Sequence, residues 1–324
     1  MITAFRISRA IGVAVELRIP EFLARHPHTA AQLAADTQTH EPSLRRLLHA
    51  LVATEILAEG ADGRFSLTPL GQELRPDRLG PAARLLAGAL EFGSWVHLDN
   101  SIKTGERGFD LAHGMRNWDY YATHRADGAI FDAAMRSLTI PTSLAVATTY
   151  DFSRSGKVAD IGGGDGTMLV AILEHNPHLR GVLFDRPGVV ERARKRVEAA
   201  GLADRVEIVG GSFFEDVPAG ADVYLMKSII HDWEDDDAVA IMKRCRAAAG
   251  DSAAPLLLVE RGLSDRIGPD DIDTVLSDLN MLVNPGGMER TDSEYSELFR
   301  RAGYRLARTL PLQPQFQILE GVPA

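Results

Sequence analysis

Val158-Ala159-Asp160-Ile161-Gly162-Gly163-Gly164-Asp165-Gly166 decides the fold. A short apolar run enters a turn with four glycines in five positions, and Met168, Leu169, Ile172 and Leu173 then recur at helical spacing. Glycine takes positive φ without a Cβ clash and lets the backbone approach a ligand closely. The ligand would meet the free N–H groups of a helix N-terminus. The second half of the chain is therefore expected to hold a nucleoside-containing cofactor.

Spacing narrows the choice. Dinucleotide folds use GxGxxG. Here the glycines fall as GxGxG (Gly162, Gly164, Gly166), with Thr167 where Gly or Ala would follow. Asp165 also puts a carboxylate in the turn, which would repel a pyrophosphate. A cofactor with a cationic centre suits it better, and S-adenosylmethionine is one. The bland alternative is a turn that only closes a strand–helix unit.

From Lys157 onward, strands are expected at 157–161, 181–185, 205–210, 221–227, 255–260, 304–310 and 315–320, with helices between most of them. This alternation predicts an α/β, Rossmann-like doubly wound sheet. Only Pro311 to Pro314 separate the last two strands. So short a link cannot hold a crossover, so they should form a C-terminal antiparallel hairpin.

The N-terminal part reads differently. Ile7, Ile11, Val15 and Ile19 recur every four residues, as on one helix. Thr29 caps a second helix, and Leu44, Leu47, Leu48 and Leu51 form one face of a third. Ile56–Glu59 and Arg64–Leu67 flank a turn as a hairpin. That order predicts a winged-helix arrangement. A DNA reader would use Arg45, Arg46 and His49, but the net charge of −10 opposes a nucleic-acid partner. A homodimerisation module fits the apolar first helix better. The chain begins almost within this helix, as expected if a few residues precede it. Residues 1–80 are thus assigned to dimerisation, 81–148 to a helical linker and substrate lid, and 149–324 to the catalytic domain.

At 324 residues, 45% hydrophobic and 25% charged, the composition is that of a soluble protein of two domains. Apolar runs are too short for a membrane span, and no secretory signal pattern opens the chain, so a cytoplasmic location is expected. Cys245 is the sole cysteine, which excludes an intrachain disulfide and a cysteine-based metal site.

Ligands of open α/β sheets bind beyond the carboxyl ends of the strands. Asp160 ends the first strand. Asp185 ends the second, placed to accept from ribose hydroxyls. Gly210-Gly211-Ser212-Phe213-Phe214 follow the third, offering a polar group and a ring to adenine. Lys227 ends the fourth, just before His231-Asp232-Trp233. An imidazole can accept a proton near neutral pH. Glu260, or Glu289 after the Gly286-Gly287 turn, could hold it by Nδ1–H.

Five stretches carry a resemblance: DIGGGDG (160–166), FDRPGVVERA (184–193), GSFFEDVPAGADVYLMKSIIHDW (211–233), LLLVERGL (256–263) and NPGGMERTDSEYSELFRRAGY (284–304). They resemble the S-adenosylmethionine-dependent small-molecule O-methyltransferases of the plant caffeate and bacterial hydroxyindole type, over nearly the whole chain. The HDW and GGxERT blocks are the most specific. The resemblance implies methyl transfer to a hydroxyl of a small aromatic acceptor, leaving S-adenosylhomocysteine. It implies His231 as general base flanked by Glu260 and Glu289, without a metal. It implies a cofactor site of Asp160, Gly162, Gly164, Asp185, Ser212, Phe213 and Lys227. Phe131, Met135, Trp233, Met281 and Asn284 would line the acceptor. Ser212 departs from the Asp often found there. Some members of the family perform decarboxylation or hydroxylation instead, which is the alternative activity; a DNA-binding regulator is the other.

Overall fold

The computed structural model describes residues 2–312 and 315–324. The chain forms two compact units, one of residues 1–96 with 119–138 and one of 97–118 with 139–324.

In the first unit, Thr29 caps the helix Ala30–Thr37 through a reciprocal box with Gln32. The helix Glu41–Ala53 buries Leu44, Leu48 and Leu51. Strands β1 (His28–Thr29), β2 (Leu57–Glu59) and β3 (Arg64–Leu67) form a small antiparallel sheet in the order β1-β3-β2. Ile19 does not extend the first helix. That helix is Ala4–Glu16, and Arg18 at φ 60° ends the run, so Ile19 opens a new short helix. Ile2, Phe5 and Ile7 are exposed on or beside the first helix. On the would-be reading helix, Arg45 is paired with Glu41 at 2.7 Å and His49 lies 3.6 Å from Glu59.

Within the stretch expected as a helical linker, a long helix spans Arg125–Thr149 and continues through Pro141. Ahead of it, Gly80–Leu86 and Ala89–Trp95 form two short helices.

The second unit carries seven strands: β4 (Lys157–Ile161), β5 (Arg180–Asp185), β6 (Val206–Gly210), β7 (Val223–Lys227), β8 (Leu256–Arg261), β9 (Tyr304–Leu312) and β10 (Phe316–Pro323). Their order is β6-β5-β4-β7-β8-β10-β9. The first five run parallel, while β10 is antiparallel to both β8 and β9. The link at 313–314 lies outside the described residues.

Both faces of this sheet are buried, so its inner strands are largely apolar, with Asp160 and Glu260 as buried exceptions. Side chains alternate between two cores. Ala159, Ile161, Val182, Phe184, Leu256 and Leu258 enter one; Val158, Leu183, Leu257 and Val259 enter the other. Cys245 is wholly buried in the first, where burial pushes its thiol far up. Strand order reverses between β4 and β7, which opens a crevice at their carboxyl ends. Asp235, Asp236 and Asp237 occupy the first turn of the helix Asp235–Ala249, where the helix dipole favours negative charge. Among the described residues no helix is long and apolar enough to cross a membrane.

Candidate active site

The glycine turn fills one side of the crevice. Gly162, Gly164 and Gly166 all have positive φ, at 74°, 60° and 83°. A Cβ on Gly162 would lie 2.5 Å from Ile229 Cδ1, so the turn after β4 and the loop after β7 touch only because that Cβ is absent. At Gly164 the Cβ side is open, and the backbone conformation alone requires glycine.

Two carboxylates stand beneath the turn. Asp185 Oδ2 accepts from the Gly164 N–H at 2.8 Å, and its Oδ1 accepts from the Arg186 N–H at 2.7 Å. Asp160 is buried, and burial, then the nearby Asp185 charge, push its carboxyl up to about 7. Its Oδ2 has no hydrogen-bond partner among the described residues. A buried polar atom without a partner, beside an open glycine turn, suits a polar ligand. Asp165 behaves differently from the sequence argument. It turns to Arg196 at 3.1 Å and accepts from Thr167, so its charge is already neutralised within the fold.

Ser212 Oγ accepts from the Phe214 N–H at 3.3 Å. Phe213, Phe214 and Trp233 form an aromatic cluster, with Trp233 edge-on to Phe214 at 4.7 Å and to Phe213 at 6.0 Å. Trp233, expected among acceptor residues, therefore packs against the ring expected at adenine. Lys227 Nζ donates to Thr139 Oγ1 at 3.3 Å, and burial lowers its ammonium to about 8.

Past Lys227, Ser228 takes φ 53° and leads into the 3₁₀ turn Ile230–Asp232. Glu260, fully buried near the end of β8, fixes this turn by its backbone. Its Oε1 accepts from the N–H groups of Ile229 and Ile230 at 3.0 and 2.9 Å. His231 is buried on the turn. Its Nδ1 lies 3.1 Å from Glu289 Oε1 and 3.8 Å from Glu260 Oε2, and its Nε2 lies 3.5 Å from Asp232 Oδ1. A carboxylate can only accept, so Nδ1 carries a proton toward Glu289. In the neutral ring, Nε2 is then the basic nitrogen. Of the two carboxylates proposed to hold the imidazole, Glu289 does so directly, while Glu260 acts chiefly on the backbone.

The charges follow from this packing. Burial alone would lower the imidazole, but the charges of Glu260, Asp232 and Glu289 outweigh it and raise it to about 10. Burial raises Asp232 to about 7 and also raises Glu260. For Glu289 burial acts upward, but the His231 charge and hydrogen bond win and hold the carboxyl low.

The segment Gly286–Arg290 clamps the turn from the other side. A Cβ on Gly287 would fall 1.9 Å from the His231 carbonyl oxygen. Met288 N–H donates to that same oxygen at 2.8 Å. Arg290, only 1% exposed, donates to the carbonyls of Ile230 and Trp233 at 3.2 and 2.8 Å and pairs with Asp235. The sequence reading missed Arg290 and Asp232 as parts of this centre. Their sequence signal was only adjacency to Glu289 and His231.

On the helix Ile272–Val283, Met281 is buried, and Asn284 follows as C-cap, its backbone N–H donating to the Asn280 carbonyl at 2.9 Å and its Nδ2 to Asn280 Oδ1 at 2.7 Å. In the other unit, Phe131 stacks on Tyr121 at 4.6 Å, Met135 is half-buried, and the Tyr121 hydroxyl donates to buried Glu91.

Residues 95–305 match the family described as O-methyltransferase domain, and residues 1–76 match the O-methyltransferase dimerisation domain. The chain is 42% identical over 310 residues to the mitomycin biosynthesis 6-O-methyltransferase of Streptomyces lavendulae, covering 94% of this chain and 87% of that protein. It is 36% identical over 326 residues to the phenazine O-methyltransferase PhzM of Lysobacter antibioticus, covering 100% of this chain and 94% of that one. An O-methyltransferase from neocarzinostatin biosynthesis, solved with S-adenosylmethionine and 2-hydroxy-5-methyl naphthoic acid, superposes with a TM-score of 0.83. The two are 32% identical, and the match spans 98% of this chain and 96% of that one.

Proposed function

Because the chain belongs to the S-adenosylmethionine-dependent O-methyltransferase family, we propose that His231 is its general base in methylating a hydroxyl of a small aromatic natural-product acceptor, without a metal. The His231–Glu289 pair, on the segment whose Ile229 packs against Gly162 of the glycine turn, carries this reading. Asp160, Gly162, Gly164, Asp185, Ser212, Phe213 and Lys227 would hold the cofactor, with Asp185 receiving hydroxyl donors and the turn admitting close approach. When bound, S-adenosylmethionine supplies an electrophilic methyl group on a sulfonium. Trp233, Met281, Asn284, Phe131 and Met135 would line the acceptor.

His231 takes the acceptor's hydroxyl proton at Nε2, and Glu289 holds the imidazolium that forms. A phenol has a pKa near 10. An imidazole of ordinary basicity would accept that proton uphill. His231, raised to about 10 by its carboxylates, comes closer to the donor in proton affinity, so transfer to a neutral ring is easier, while at neutral pH most rings already hold the proton. The neutral, accepting ring grows as pH rises, so kcat/KM should climb on the alkaline side. Glu260 Oε1 is committed to two backbone N–H groups, which supports an organic base rather than a metal cradle. Exposed Ile2, Phe5 and Ile7, with the matched dimerisation domain, support a homodimer joined through residues 1–80. Residues 81–148 then serve as linker and acceptor lid, and residues 149–324 as the catalytic domain.

The test is a screen of phenolic acceptors read by product mass, with and without EDTA. His231→Gln should keep S-adenosylhomocysteine binding and lose turnover on the order of 10²–10⁴-fold. Full turnover in that variant removes His231 from the mechanism, and a strict magnesium requirement removes the metal-free reading.

A further inference from the structure

Glu289 Oε1 receives two donors. One is His231 Nδ1 at 3.1 Å; the other is the hydroxyl of Ser277 at 2.7 Å. The second carboxylate oxygen, Oε2, has no hydrogen-bond partner among the described residues. The whole polar load of this buried side chain therefore falls on one atom. The next residue, Asp278, holds the Glu289 backbone, accepting its N–H at 2.9 Å. Two consecutive residues of the helix Ile272–Val283 thus fix both ends of Glu289. Ser277 also precedes Met281 by one helical turn and Asn284 by two, on the helix face expected to meet the acceptor.

We propose that Ser277 is a positioning residue that sets the proton affinity of His231 by sharing Glu289 Oε1 with the imidazole. A donor on a carboxylate oxygen draws charge from it, and less charge then remains to hold the imidazolium. The serine hydroxyl keeps the base from binding its proton too tightly, and it fixes which oxygen faces Nδ1. The inference rests on the reading of His231 as base.

Other charged groups face this pair and stay in place in the test: Asp232 on the 3₁₀ turn, Lys227 on β7, Glu260 and Arg261 on β8, Asp278 on the same helix, and Arg290 after Glu289. Tyr295 also approaches the carboxylates. The perturbation is Ser277→Ala, with Ser277→Thr as the variant that restores a hydroxyl. Alanine is well accepted within a helix. Imidazole NMR of the ligand-free protein gives the His231 titration directly, and kcat/KM against pH gives the same group during turnover.

Ser277→Ala should move both titrations upward by about half to one pH unit, a loss of roughly threefold to tenfold on the acid limb. Ser277→Thr should return the wild-type midpoint. An unchanged or lowered His231 midpoint in Ser277→Ala overturns the proposal, as does a Thr variant that behaves like Ala. If His231→Gln is active while the NMR midpoint still moves, the base assignment fails and the Ser277 coupling stands.

Discussion

Gly287→Ala tests whether the clamp on the His231 turn sets the rate. The added Cβ would sit 1.9 Å from the His231 carbonyl oxygen and 2.5 Å from the Asp232 carbonyl carbon, both backbone atoms. Real Cβ atoms do not come closer than 3.0 Å, so the turn and the clamp must separate by at least 1.1 Å. That motion stretches the Met288 N–H bond to His231 from 2.8 Å. It also pulls Nδ1 from Glu289, now at 3.1 Å. Overpacking of this kind costs about 1–3 kcal/mol, and a buried hydrogen bond adds about 1 kcal/mol. A displacement near 1 Å at reacting groups can cost on the order of 10²-fold in rate. The assay is kcat with the acceptor returned by the screen, beside Tm and S-adenosylhomocysteine affinity. The expectation is a large fall in kcat, a lower Tm and retained affinity, because the glycine turn is untouched. Wild-type kcat and Tm in Gly287→Ala would refute the clamp.

Two further outcomes are expected. Asp185→Ala removes a carboxylate expected to take donors from the cofactor. Hydrogen bonds to charged groups are worth about 1.5–3 kcal/mol, so S-adenosylhomocysteine affinity should fall roughly tenfold to a hundredfold by calorimetry; unchanged affinity excludes that role. For pH, the raised His231 pair stabilises the fold fully below the imidazole's ordinary 6.5 and loses that contribution as pH climbs through about 10. The Tm advantage of wild type over His231→Gln should therefore be greatest near pH 6 and shrink by pH 10. A gap that widens with pH contradicts the assigned sign.

The catalytic sheet was legible because its chemistry is local. Every strand from β4 to β8 begins and ends within two residues of its expected place, and the inner ones stand out because strands buried on both faces are largely apolar. β1 was missed: it is two residues long and abuts the Thr29 cap, leaving no period to read. Periodicity carried Ile19 into the first helix because apolar spacing does not register Arg18 in the left-handed region. Asp165 was assigned to the ligand because its partner, Arg196, lies 31 residues on. Ser277 and Arg290 escaped for the same reason. Their significance lies in contacts with Glu289 Oε1 and the Ile230 carbonyl, and no spacing rule encodes either. His231 was found because it follows a strand end, but its basicity was not, since that needs Glu260 and Glu289 to converge on it from separate stretches beside its neighbour Asp232.

The glycine turn, Asp185 and Phe213 come from one continuous stretch of neighbouring strand–helix units, whereas the turn carrying His231 is held by residues 29 to 59 positions later. During synthesis the glycine turn therefore emerges well before the residues that orient the His231 ring. Evolution can likewise revise the reaction by editing the late stretch while leaving the early one untouched.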